Sequence, residues 1–301
     1  MTNIYSTEAY YYISEIENAK TIHFSLFHRH ETEYHVNGLQ IGSECTFGIY
    51  APFWLPNFAY LTTDLSKLEN YLVEFIHQCR ERLAAGSIKI RLPPIFYSKN
   101  IDCLNFLLEK NGFRSVNSAL WQAINISKFS SRSNYENMLK YSSRKVLNKT
   151  RGLNLYLDRL GNDNFDQISC AYDLINRNRN SMGLSLKYSK EYLMNFISTH
   201  PGKISIFNLV LDEVPVAAAI AHTPQNSILY LAAWGDHGHG LITSPMYQFA
   251  SSLVDYCISN HFQYLDFGVS SDLDLYTPNL FKFKENIGCN ATMQRTYCMD
   301  F

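Results

Sequence analysis

No stretch of this sequence is apolar for long enough to cross a bilayer. The most apolar run, VPVAAAIA at residues 214–221, falls far short of the roughly 20 residues a membrane helix needs. The opening residues 1–20, MTNIYSTEAYYYISEIENAK, lack the basic start and continuous apolar core of a secretory signal. Neither sign of charge dominates: 26 Lys and Arg stand against 27 Asp and Glu, so nothing global attracts nucleic acid or an anionic membrane. Any charged partner must be met locally. Paired cysteine motifs are lacking: seven residues, an odd count, are scattered singly with no CxxC pair, which favours reduced core thiols in a cytoplasmic protein over a disulfide frame. Four histidines, His23, His28, His30 and His35, crowd together without the Cys or carboxylate spacing of a zinc site. They read as a half-exposed strand pair turning at Asn37-Gly38, with no metal. What the chain has in quantity is aromatic side chains, 21 Tyr and 19 Phe, which suit well-built sheets and a ring-lined pocket.

Its 301 residues are enough for two domains, and a repeat supports that division. FLLEKNGF at residues 106–113 and FKFKENIG at residues 281–288 are near copies, with Gly112 and Gly288 lying 176 positions apart (288 − 112). Ahead of the first copy, residues 65–86 carry Leu65, Leu68, Leu72, Phe75, Ile76, Cys79 and Leu83 at helical spacing. At the same offset, residues 241–262 read as a helix capped by Ser244 and started by Pro245. A β-rich run follows each helix, SIKIRL and QYLDFG, then a proline-containing loop, the helix ending in the quoted motif, and a last strand, SALWQAINI or ATMQRTYCM. Five successive elements at one offset indicate a duplicated α/β unit. Further strands, ISIFNLVLDEVPVAAAIAH and NSILYLAAW, precede the second copy, with a turn at Glu213-Val214-Pro215. The serine-rich residues 127–136 read as the linker, giving an N-terminal unit at 1–128 and a C-terminal unit at 129–301.

The copies differ where chemistry would sit. The turn entering the second-half helix, WGDHGHGLITSP, carries Gly235, Gly238 and Gly240 ahead of a helix N-terminus, a combination that suits an anion. It does not match GxGxxG, so a nicotinamide cofactor is not expected. The first-half counterpart has no glycine from Ala51 to Ser66, so the N-terminal unit is degenerate and lacks this loop. With the glycines aligned, Leu108 stands opposite Lys284. A lysine there either snorkels to solvent or points inward to meet an anion.

This order of elements resembles the GNAT acyltransferase fold. The tandem arrangement, with DFGVSS at residues 266–271, LFKFKENIGC at 280–289, the basic segment LKYSSRKVLNKTRGL at 139–153, NRNRNSMGLSLKYSKEYL at 176–193 and APF at 51–53, more narrowly resembles the Fem-type double-GNAT proteins. Where relatives tend to follow APF with two glycines, this chain has Trp54-Leu55, and Lys284 stands where many GNAT enzymes carry a tyrosine proton donor. The resemblance implies two tandem GNAT-like units, each a twisted mixed sheet flanked by helices. It also implies an N-acyltransferase taking acetyl-CoA or another acyl-CoA and acting on an amine, plausibly sugar-linked in cell-surface polysaccharide synthesis. The alternatives are an aminoacyl-tRNA-dependent Fem-type aminoacyltransferase or a GNAT-fold binding protein without turnover. On this reading Trp234, Gly235, Asp236, His237, Gly238, His239, Gly240, Leu241 and Ser244 hold the donor, and Lys284 meets a developing anion. Asp266, His237, His239 and Asp272 are the candidate bases, while Ser270, Ser271, Arg144, Arg179 and Tyr188 serve the acceptor. The basic helix over residues 140–151 is either a solvated face or a binder of phosphates, including those of a tRNA.

Overall fold

A computed structural model of the chain describes residues 19–28, 32–41, 44–48, 64–82, 86–186, 188–225, 227–237, 244–272 and 275–301. In chain order the elements begin with β1 (Ala19–His28), β2 (Thr32–Ile41), β3 (Glu44–Gly48), α1 (Leu65–Arg82), β4 (Ser87–Arg91), α2 (Ile101–Lys110) and β5 (Arg114–Asn125). They continue with α3 (Arg132–Met138), α4 (Tyr141–Lys149), β6 (Leu155–Arg159), α5 (Phe165–Ser181), α6 (Lys190–Thr199), β7 (Ile204–Leu211), β8 (Val214–Gln225) and β9 (Ile228–Asp236). The last are α7 (Pro245–Ser259), β10 (Tyr264–Asp272), β11 (Leu275–Tyr276), α8 (Pro278–Asn286) and β12 (Asn290–Asp300). Two compact units emerge. Among the described residues, the first comprises those up to Trp121 together with Val269–Tyr276 and Thr292–Phe301; the second comprises Gln122–Gly268 and Thr277–Ala291.

In the first unit β1, β2 and β3 are antiparallel, and β3 runs parallel to β4 from Glu44↔Ser87 to Gly48↔Arg91. The late strand β12 lies antiparallel to β4, with Thr296 opposite Arg91 and Asp300 opposite Ser87, and separates β4 from β5. Helix α1 starts on Asp64, whose carboxylate accepts from the N–H groups of Ser66 and Lys67. It buries Leu68, Tyr71, Leu72, Phe75, Ile76 and Cys79, the stripe that a 3.6-residue period places on one face. Leu104, Leu107 and Leu108 of α2 and Tyr297 and Met299 of β12 complete that core.

The second unit repeats the scheme: β6, β7, β8 and β9 are antiparallel, and β9 runs parallel to β10. Its core gathers around Phe249, Leu253, Val254 and Cys257 of α7, packed with Phe207, Leu229, Leu231 and Phe267. The offset survives in detail. Shifting α2 and β5 by 176 gives 277–286 and 290–301, against the observed Pro278–Asn286 and Asn290–Asp300. The chain is thus an α/β fold of two similarly built tandem units, each with mixed strand pairing and flanking helices.

Four local expectations are corrected. Asn37-Gly38 is not a turn: it sits inside β2, opposite His23 and Ile22, because pairing with β1 on one side and β3 on the other overrides the local turn preference. The serine-rich residues 127–136 are largely ordered, since Ser131 accepts from the Asn134 N–H and starts α3. The β7–β8 reversal falls at Asp212 and Glu213, with φ of 46° and 66°, so Val214 and Pro215 already belong to β8. Ser244 precedes α7 in the left-handed region, at φ 59°, and its side chain makes no cap hydrogen bond; Pro245 alone starts the helix as expected. Among the described residues no helix is long and apolar enough to cross a membrane.

Candidate functional site

The ends of α2 and α8 are built alike. In α2 the Phe113 N–H donates to the Leu108 carbonyl at 3.0 Å and the Gly112 N–H to Glu109 at 3.1 Å; in α8 the Cys289 N–H donates to Lys284 at 2.9 Å and the Gly288 N–H to Glu285 at 3.0 Å. Both are Schellman caps, which need a residue at positive φ after the helix, and the glycines supply it at 90° and 87°. Leu108 and Lys284 therefore hold the same cap position, and each is 1% exposed. Lys284 does not snorkel. Its Nζ donates to the Gly268 carbonyl at 2.9 Å. A cation in the last turn is favoured by the helix dipole, but burial drives its pKa down from 10.5 to about 8, with Arg179 pushing the same way and Cys289 and Asp266 resisting.

Gly268 explains the DFG stretch. It has φ 74°, a conformation costly to any other residue, and there its N–H donates to Asp266 Oδ1 at 2.7 Å while its carbonyl accepts from Lys284. A Cβ on Gly268 would lie 3.2 Å from the Tyr230 ring. Asp266, fully buried, faces Tyr230 across the last parallel pair of β9 and β10; both strands continue beyond that pair, β9 to Asp236 and β10 to Asp272. Burial raises the Tyr230 hydroxyl well above its ordinary pKa, Asp266 adds to the effect and Arg179 opposes it. Tyr188 is likewise raised by burial against the pull of Arg179. Cys289 is raised by burial, with Lys284 opposing. Arg179 Nε, in the last turn of α5, is buried and finds no hydrogen-bond partner among the described residues. Lys284, Asp266, Arg179 and Tyr188 thus come together in one electrostatic cluster of the second unit. Tyr230 completes it; within the apolar run ILYLAA it reads only as a strand residue, and only the β9–β10 register shows it opposite Asp266.

The remaining expected site residues are spread out. Trp234 packs against Phe267 and Phe283 with ring centroids 5.8 and 5.9 Å away. Gly235 is small because Asn178 approaches it: an added Cβ would lie 2.8 Å from the Asn178 side chain, whose Nδ2 donates to the Asp236 carbonyl at 3.0 Å. Asn178 escaped the sequence reading, although it lies within the NRNRN segment. The His237 N–H donates to Val216 and extends the β8–β9 pairing by one bond. Gly238, His239, Gly240 and Leu241 lie outside the described residues. Ser270 and Ser271 are buried and belong to the first unit, where Ser271 pairs with Tyr276 of β11, and Asp272 ends β10 rather than lying in a loop. Arg144 lies on α4, where its Nη1 donates to the Asn137 carbonyl at 3.1 Å.

No protein-family model matches the sequence, and no curated protein matches it. Solved structures do match in shape. FemX superposes over 100% of this chain and 91% of its own, at 11% identity and a TM-score of 0.71. The C-terminal domain of a putative lysylphosphatidylglycerol synthetase from Agrobacterium fabrum covers 93% of this chain and 84% of its own, at 10% identity and a TM-score of 0.59. A tandem GNAT protein from the clavulanic acid biosynthesis pathway covers 94% of this chain and 84% of its own, at 6% identity and a TM-score of 0.51. Identities this low speak to architecture, and the architecture they share with this chain is the GNAT-like, Fem-type fold.

Proposed function

We propose that the chain is an acyltransferase whose second unit moves an acyl group from an activated donor to an amine, with Lys284 as the charged group at the reacting centre. The observation that carries this reading is the buried ammonium at a helix end where the duplicate buries a leucine. Burying such a charge is costly, which makes a structural reason weak and a chemical one strong. The acceptor nitrogen, entering as the neutral amine, attacks the acyl carbonyl carbon, the tetrahedral oxyanion forms, and it collapses as the bond to the leaving sulfur or oxygen breaks; the proton the nitrogen sheds passes to solvent and replaces the one given to the leaving group. Lys284, with a pKa near 8, remains mostly protonated at neutral pH and can neutralise the oxyanion or give its proton to the leaving group. Asp266, already engaged with the Gly268 N–H, acts as counter-charge and positioning residue, and Arg179 Nε offers a donor to a carbonyl or carboxylate oxygen.

The donor on this reading is acetyl-CoA or another acyl-CoA, held by the glycine-containing segment that precedes α7 in sequence, and the acceptor is a sugar-linked amine of the kind used in cell-surface polysaccharides. A second reading, with aminoacyl-tRNA as donor, is favoured by the likeness to FemX and disfavoured by the near-neutral charge. Calorimetric titration with acetyl-CoA, followed by transfer of labelled acetyl groups to amino sugars, tests the first. Binding and transfer are expected, with Lys284→Met retaining binding and losing transfer by about 100-fold or more. Transfer from aminoacyl-tRNA alone would move the donor to the second reading. Absence of turnover with either donor would leave a GNAT-fold binding protein and overturn the proposal.

A further inference from the structure

Three polar side chains stand in one row across the strands of the second unit. His222 of β8 pairs with Tyr230 of β9, and Tyr230 with Asp266 of β10. Residues directly opposite one another in paired strands project from the same face, so all three lie on one side of the sheet. The residues alternating with them, Ala221, Leu229, Leu231, Leu265 and Phe267, belong to the apolar core around α7. His222 is 2% exposed and Asp266 fully buried, which makes the row costly to the fold. The first unit shows that the architecture does not require it. There Gly38 of β2 pairs with Phe47 of β3, and Phe47 with Ile90 of β4, in the same antiparallel and then parallel order. Ile90 stands at the 176-residue offset from Asp266, as Leu108 does from Lys284. Where one unit has glycine, phenylalanine, isoleucine and leucine, the other has histidine, tyrosine, aspartate and lysine, so the four positions differ as a set.

Contacts run in series through this set. The His222 ring meets that of Tyr230 edge-on, with centroids 5.0 Å apart and planes at 81°. The Tyr230 ring rests in turn on Gly268, where an added Cβ would lie 3.2 Å from Cε2. Gly268 then connects to both charges: its N–H donates to Asp266 Oδ1 at 2.7 Å, and its carbonyl accepts from Lys284 Nζ at 2.9 Å. We infer that His222 is a positioning residue of the acyltransfer centre, holding the Tyr230 ring on Gly268 and so fixing the carbonyl that aims the Lys284 ammonium. The assignment rests on the acyltransferase reading, in which that ammonium meets the developing oxyanion. Gly268, at φ 74°, has no side chain to restrain its peptide, so the ring packed on it supplies the restraint. Edge-to-face packing is a favoured geometry for paired rings and orients Tyr230 from behind.

The test pairs kinetics with a readout that needs no turnover. Transfer from acetyl-CoA to an amino sugar is measured at steady state, and Lys284 is titrated by NMR of isotope-labelled lysine Cε, its signal assigned by its loss in Lys284→Met. His222→Ala should lower kcat by about tenfold or more, since a displacement of about 1 Å at a reacting group is enough, with KM for donor and acceptor nearly unchanged. It should also let water reach the ammonium, moving the Lys284 midpoint up from about 8 toward 10.5. His222→Phe keeps a ring edge against Tyr230 and should restore most of both. Ile220→Ala opens a cavity on the same face of β8 two residues earlier and should leave both as in the wild type, with circular dichroism verifying that each variant is folded. Unaltered kcat and midpoint in His222→Ala, equal impairment in His222→Phe, or the same changes in Ile220→Ala would each overturn the inference. Should the wild type transfer nothing, the acyltransferase reading falls; a midpoint moved by His222→Ala alone still upholds the series of contacts, and an unmoved one overturns it.

Discussion

A lysine that is 1% exposed makes stability depend on pH in a way that its neighbours do not imitate. Burial lowers the pKa of Lys284 from 10.5 to about 8, a difference worth about 3 kcal/mol at about 1.4 kcal/mol per unit. Below pH 8 both folded and unfolded chains carry the proton and the whole cost is present. Between 8 and 10.5 the folded chain has released it while the unfolded chain keeps it. The unfolded state then binds more protons, so stability rises with pH across this window. Cys289 and Tyr230, both raised by burial, act with the opposite sign at high pH, but they are common to wild type and variant. Denaturant unfolding at several pH values should therefore show the wild type gaining about 3 kcal/mol on Lys284→Met between pH 8 and 10.5. A difference that stays flat would mean that the ammonium is not desolvated in the fold. This residue was legible because the duplicate supplies a control: a lysine facing a leucine at matched positions marks a departure whichever way the side chain points. Tyr230 was not legible, because nothing local distinguishes a strand tyrosine beside a buried carboxylate from one in an ordinary core.

At the level of elements, the two Schellman caps share a backbone and differ in surroundings. Alanine at either glycine must adopt positive φ, which costs about 1–2 kcal/mol. At Gly112 the new Cβ meets only Met299 Cε, at an ordinary 3.6 Å. At Gly288 it meets Leu139 Cδ2 at 3.3 Å and Tyr135 Cε2 at 3.4 Å. Tyr135 is buried, and its hydroxyl donates to the Ile287 carbonyl at 2.7 Å, so it has little room to yield. Gly288→Ala should consequently lose about 1 kcal/mol or more beyond the loss in Gly112→Ala, measured as the shift in urea midpoint; equal losses would count against a rigid Tyr135. The caps and the constant offset were readable in sequence because helix ends and apolar stripes are local signals. The fate of Asn37-Gly38 and of the serines near 131 was not, since a turn dipeptide joins a strand when partners lie on both sides of it, and a serine marks a helix start as readily as a linker.

For the whole molecule, the pattern that makes β5 and β12 look interchangeable leaves their destinations unspecified. Which sheet a strand joins depends on non-local pairing, and no period or cap encodes it. Residues 292–301 belong to the first unit, where β12 fills the place between β4 and β5, Tyr297 is fully buried, and its one hydroxyl proton is shared between Asn105 Oδ1 at 3.0 Å and Glu109 Oε1 at 3.2 Å. A fragment ending at residue 128 would leave β4 and β5 with unpaired edges facing each other across a missing strand, and would expose the apolar surface that Tyr297 and Met299 cover. Such a fragment should unfold without a cooperative transition. Removing only residues 292–301 from the full chain should erase protection of α1 and α2 in hydrogen exchange while α7 keeps its own, because the α7 contacts lie in the second core. A fragment of residues 1–128 that melts cooperatively and protects α1 would show that the first unit closes without β12, and that the late strand is an addition to a finished core rather than part of it.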